Sequence, residues 1–181
     1  MFINDARVYQ LAVTFHDAIK RTKAKGFFKR DLGLDDFPVG SCGDASYLLA
    51  EFFLLHGIKT IWVSSRRSDW THAWLAIKDD RVVTPVSQLI DLPDGIKDVF
   101  AQYGNPSSQI NTELTYYKEE DLENALIVDI TGDQFDDYNI PVYVGFKDSF
   151  HRTFDFIQAV DFDRLSDGRL LDLYRTIMSN F

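Results

Sequence analysis

The sequence predicts an α+β domain in which helices near both ends flank a central antiparallel sheet. Three observations predict it: apolar residues recur at intervals of three and four near each end and again over residues 42–57, β-branched and aromatic runs lie between them, and Gly, Pro and Asp punctuate the junctions. The chain of 181 residues is 45% hydrophobic and carries 15 Phe, 8 Tyr and 3 Trp, enough for one sizeable core and a single domain over 1–181.

In chain order, Val8, Leu11, Ala12, Phe15, Ala18 and Ile19 put one apolar face on a helix over Asp5–Lys25, with Asn4 as cap and Gly26 as terminator. Gly33, Pro38 and Gly40 then make FFKRDLGLDDFPVGS a loop. CGDASYLLAEFFLLHG follows as a mostly buried helix through Ala45, Leu48, Leu49, Phe52 and Phe53, closed by Gly57. KTIWVSS and THAWLAIK, separated by the polar RRSDW, read as consecutive antiparallel strands, and RVVTPV as a third beyond the Asp79-Asp80 turn. The pattern loosens over about 87–124, where Pro93, Gly95, Gly104 and Pro106 leave only IKDVFAQYG as a short helix, so this stretch reads as an insertion. ALIVDI and PVYVGF are further strands, and LLDLYRTIM ends the chain with helical spacing.

The charge balance disfavours several classes of partner. Nineteen Lys+Arg against 28 Asp+Glu give a net charge of -9, which repels nucleic-acid backbones and anionic membranes. The basic group Lys20, Arg21, Lys23, Lys25, Lys29 and Arg30 breaks this pattern, yet it suits the C-terminal end of the first helix, where it meets solvent and the helix dipole. The amino terminus lacks the charged start and apolar run of a signal peptide, no stretch approaches a membrane span, and one cysteine forms no intramolecular disulfide. These features make the cytoplasm the expected location. Paired metal-ligand spacings, phosphate loops and dinucleotide fingerprints are missing, so no cofactor is called for.

Candidate chemistry converges on three residues. Cys42, between Gly40 and Gly43 in PVGSCGDAS, opens the second helix. There, unpaired N–H groups and the helix dipole favour a thiolate, and the backbone N–H of Cys42 is a candidate donor to an oxyanion. A lone cysteine is more often a small buried hydrophobe, so a base is needed to support the catalytic reading. His16 reads as part of a polar helix face, His56 as a helix C-terminal residue, and His151 follows a polar turn in KDSFHRTF. His72 differs because strand alternation puts it on one face with Trp74, whose ring would support the imidazole and exclude water. Asp129, at the end of ALIV, is placed where burial demands a partner, and so is a candidate to orient His72. Gln134 and Ser41 could donate to an oxyanion or merely stabilise turns, which spacing does not distinguish.

FPVGSCGDAS before a helix, then THAWL, then IVDITGDQF with PVYVGFKDSFH after it, resembles the bacterial transglutaminase-like members of the papain-type cysteine hydrolase superfamily. The resemblance spans roughly 37–151 with a gap in the middle. It implies a nucleophile-bearing helix packed on an antiparallel sheet, a triad of Cys42, His72 and Asp129 in that order, and a thioester acyl-enzyme. The substrate would be a protein, a peptide or a small amide, and the outcome proteolysis, deamidation or acyl transfer. Such an acid commonly lies one strand after the histidine, where this chain has RVVTPV with Thr84; placing it at Asp129 requires the insertion, and Asp79 and Asp80 stay open as alternatives. A binding or interaction protein that keeps this fold without turnover is the competing expectation.

Overall fold

The computed structural model describes residues 5–29, 31, 33–78 and 115–181. Among these residues it has three α-helices, α1 (Asp5–Ala24), α2 (Cys42–Leu55) and α3 (Gly168–Met178). The strands are β1 (Ile61–Arg67), β2 (Trp70–Ile77), β3 (Tyr116–Tyr117), β4 (Leu126–Asp129), β5 (Tyr143–Gly145) and β6 (Asp155–Asp161). They form one sheet of order β3-β6-β1-β2-β4-β5 with every pairing antiparallel. The expected α+β class is therefore what the chain adopts.

Both long helices stop by the same device. Gly26 (φ 77) and Gly57 (φ 73) take the left-handed conformation that a side chain resists, and the amides just beyond, Phe27 and Ile58, reach back to the carbonyls of Thr22 and Phe53. In α3 the start is specified instead, by Asp167 accepting from the Leu170 amide at 2.9 Å. Asn4, the expected cap of α1, lies outside the described residues, as do the RVVTPV strand, the IKDVFAQYG helix, Asp79, Asp80 and Thr84.

Alternation along β2 divides the interior in two. Ala73, Leu75 and Ile77 face the helices and join a core with Phe15, Leu48, Leu49, Phe53 and Ile177, whereas Trp74 and Ala76 face a second cluster containing Phe135, Tyr138, Phe150 and Phe154. α2 is fixed to β2 directly, through Ser46 Oγ donating to the Ala73 carbonyl at 3.1 Å. Its buried Glu51 accepts from the Leu165 amide at 3.1 Å, tying the segment before α3 to the same helix. Arg169 of α3 forks onto both oxygens of Asp44 at 2.8 Å and reaches Asp31 at 3.1 Å, so the first turn of α2 is held from two sides.

Three details depart from the sequence expectation. RRSDW is not a polar spacer: β1 and β2 pair through Arg66↔Thr71 and Arg67↔Trp70, leaving a two-residue loop with Ser68 at φ 55. The loose segment does not run to 124, since Tyr116 and Tyr117 pair with Val160 and Ala159 at the sheet edge. That partner strand, DFIQAVD, was not anticipated, because its charged ends and single fully buried residue, Ala159, give a weak alternating pattern.

Leu75 is fully buried at the centre of the helix-facing core. Leu75→Ala is expected to lower unfolding stability by about 3 kcal/mol, the usual result of a core truncation that cannot fully collapse. Urea denaturation checks this, and a loss under about 1 kcal/mol would contradict the packing described.

Candidate active site

Two strands deliver the site at the point where they part. The β2–β4 ladder runs Ile77↔Leu126, Ala76↔Ile127, Leu75↔Val128 and stops there. Beyond it, His72 on β2 and Asp129 on β4 turn toward each other, with His72 Nε2 2.8 Å from Asp129 Oδ2. Both side chains are buried, His72 and Asp129 each 1% exposed. β4 is thus the immediate neighbour of the histidine strand, although 48 residues separate Ile77 from Leu126 in the sequence.

Asp129 is thoroughly satisfied. Its Oδ1 accepts from the Thr131 amide at 2.9 Å and from Thr131 Oγ1 at 3.2 Å, an Asx-type turn written locally as Asp-Ile-Thr. Burial by itself would raise its pKa, but the charge on His72, supported by contacts from His151 and His72, overturns that and holds the carboxyl well below the usual range. For His72 the balance runs the other way. Desolvation favours the neutral ring, yet the Asp129 charge and hydrogen bond, together with Cys42, raise the pKa to about 9.

With Nε2 committed to Asp129, Nδ1 is the free working nitrogen. Cys42 lies near enough to the ring to help raise its pKa, and its half-buried Sγ lies 4.0 Å from the Thr71 carbonyl. Gln134 also faces Nδ1, at 3.3 Å. Its orientation is settled by its other contacts: Oε1 accepts from the Gly40 amide at 3.2 Å, and Nε2 donates to the Thr131 carbonyl at 3.0 Å. A donor facing Nδ1 suits the neutral ring, whereas the raised pKa favours the imidazolium. The two fit together if the Nδ1 proton is directed at the sulfur, because 3.3 Å is a weak amide contact.

Around this line of polar groups the walls are aromatic. The His72 ring lies 5.5 Å from Trp74, 5.0 Å from Phe135 and 5.4 Å from Phe154. Arg67, paired with Asp137 at 2.6 and 3.0 Å, lays its guanidinium over Phe135, Phe150 and Phe154 and seals the cluster from above. On the nucleophile side there is space, since a Cβ on Gly43 would meet nothing within 4 Å. Asp44 suits the amino end of α2 but opposes a thiolate two residues away, and the Arg169 fork offsets that charge.

The structure thus brings Cys42, His72 and Asp129 together, and it separates the remaining candidates. Ser41 is buried with Oγ donating to the Pro38 carbonyl at 2.8 Å, a turn contact. His56 follows α2, as expected, with its carbonyl accepting from Arg7 at 2.9 Å. His16 is corrected: it is only 4% exposed, packed 5.5 Å from Phe37 instead of on a solvated face, and burial lowers its pKa. His151, which in sequence only follows a polar turn, belongs to the site: it is fully buried with Nε2 3.4 Å from Asp129 Oδ2. One signal could have found it, the Asp148-x-x-His151 spacing, at which a single turn lets Asp148 Oδ1 accept from both the backbone amide and Nδ1 of His151.

The raised His72 pKa adds stability that is complete below about pH 6.5 and is lost as pH rises through about 9. The depressed Asp129 pKa adds stability that is present above about pH 4 and is lost as pH falls through the lower folded value. The urea midpoint of the parent, relative to His72→Gln, is therefore expected to fall between about pH 6.5 and pH 10. A difference that stays constant over that interval would show that the pair is not linked as described.

Among the described residues, no helix is long and apolar enough to cross a membrane, and no group of three or more His, Cys, Asp or Glu has the form of a metal site. Comparison with protein-family models, with curated proteins and with solved structures finds no match, which leaves the chain's own side chains to carry the functional reading.

Proposed function

We propose that the chain is a cysteine-dependent hydrolase or acyltransferase of papain or transglutaminase-like type, with Cys42 as nucleophile, His72 as base and Asp129 as the orienting acid. The observation that carries this reading is the buried 2.8 Å His72 Nε2–Asp129 Oδ2 contact, which commits one ring nitrogen and leaves Nδ1 to a cysteine at a helix start.

In the proposed reaction Nδ1 takes the thiol proton and the thiolate attacks an acyl carbonyl. The resulting oxyanion has a candidate donor in the backbone N–H of Cys42 at the first position of α2. Collapse of the tetrahedral species expels an amine, which takes its proton from Nδ1, and leaves a thioester on Cys42. Water or a second amine, deprotonated by Nδ1, then attacks the thioester and frees the thiol. Asp129 keeps the proton of the neutral ring on Nε2 and stabilises the imidazolium formed twice in the cycle. The substrate class is an amide, in a peptide bond, a side chain or a small molecule, and the acceptor decides between hydrolysis and transfer.

Alkylation by iodoacetamide tests the nucleophile without a substrate. His72→Ala is expected to slow the labelling of Cys42 at neutral pH by roughly tenfold relative to the parent. Equal rates in both proteins, rising together only above about pH 8.5, would sink the catalytic reading and favour a binding protein. Mass spectrometry of proteins treated with the parent or with Cys42→Ala, scored for cleavage, deamidation and cross-links, then identifies the acyl donor.

A further inference from the structure

Asp129 serves two imidazoles. Its Oδ2 meets His72 Nε2 at 2.8 Å and lies 3.4 Å from Nε2 of the fully buried His151. The second contact is too long and poorly aligned for a good hydrogen bond, and it leaves that nitrogen without a hydrogen-bond partner. A buried, unpartnered ring nitrogen aimed at the carboxylate of the site calls for an explanation.

The placement of His151 is not loose. Asp148 Oδ1 takes its Nδ1 at 2.7 Å and its backbone amide at 2.9 Å, and Asp148 Oδ2 accepts from the Tyr138 hydroxyl at 2.8 Å. Trp74 and Tyr143 lie 5.1 Å from the ring, with Trp74 also beside His72. Asp148 is held ionised against burial by these hydrogen bonds, so the first proton of the ring belongs on Nδ1 and Nε2 is the position that gains or lacks the second. Without that proton a lone pair faces Asp129 Oδ2, and with it an N–H does. The sign of the contact changes with one proton.

We propose that His151 is a positioning residue for the Asp129 carboxylate, and that His72 and His151, sharing Oδ2, titrate as one coupled pair in which a proton on either ring weakens the hold of Asp129 on the other. The charged and titratable groups facing the pair are Asp148, Tyr138 and Tyr143 on the His151 side and Cys42 on the His72 side, with Arg67 above the phenyl rings between them. None of these touches Oδ2 as the two rings do. The name catalytic for that carboxylate rests on the function proposed above, but the coupling does not.

The test uses the full chain with ¹⁵N-labelled histidine, following both ring nitrogens of His72 and His151 against pH. In the parent, each ring is expected to respond at two shared midpoints. In His151→Gln, His72 should titrate in a single step displaced upward by roughly 0.5 unit or more. Independent single midpoints in the parent, or a His72 curve displaced by less than about 0.2 unit in His151→Gln, would overturn the proposal. If His151→Gln does not fold, His72→Gln gives the reciprocal reading at His151: an upward displacement supports the coupling, and an unmoved midpoint overturns it. The two claims fail separately: alkylation indifferent to His72 removes the nucleophile and leaves the coupling, whereas uncoupled rings remove the coupling and leave the nucleophile.

Discussion

A carboxylate and an imidazole held 2.8 Å apart with almost no solvent contact impose conditions on everything around them. The carboxylate must be satisfied on its other oxygen, and the Asp-Ile-Thr turn does so within two residues. The ring must be fixed in plane, and Trp74, Phe135 and Phe154 do so without adding competing polar atoms. Strands β2 and β4 must be neighbours, so that His72 and Asp129, just past the end of their ladder, can meet. The aromatic cluster on one face of the sheet is therefore the enclosure of this ion pair as much as it is a hydrophobic core.

The opposite face carries Cys42, the proposed nucleophile. α2 is almost wholly apolar where it meets Leu75 and Phe15, so its axis is set by packing, and Ser46 fixes its position along β2 through the Ala73 carbonyl. Cys42 at its first residue then lies beside β2, its Sγ 4.0 Å from the Thr71 carbonyl, with open space over Gly43. The reactive atoms thus come from opposite faces of a single strand pair, one anchored by dispersion contacts and the other by charge.

Local signals in the sequence carried a good deal of this arrangement. Helical spacing located α1, α2 and α3, with terminating glycines closing the first two, and period-two alternation put His72 and Trp74 on one face of β2. What stayed hidden depends on contacts between distant segments. β6 is ordinary in its own residues and becomes a strand because β1 and β3 flank it, and His16 looks polar until Phe37 covers it. His151 is a further case. Its Asp148 partner is local and visible, but its approach to Asp129 depends on the fold of residues 130–150, where outside the PVYVGF strand the pattern offered only turn residues.

The Arg169 fork has a consequence for the order in which the site can exist. The first turn of α2, which bears Cys42, is braced from Asp44 by a residue 125 positions later, and His72 and Asp129 come from strands of a sheet that β6 completes. A growing chain that has emerged from the ribosome only as far as β5 holds every member of the proposed triad but neither the brace nor the strand that covers the far edge of β1. Under the proposed function, a braced Cys42 is in this way deferred until β6 and Arg169 have been made, which would spare the nascent polypeptide and its neighbours from an unguarded thiol.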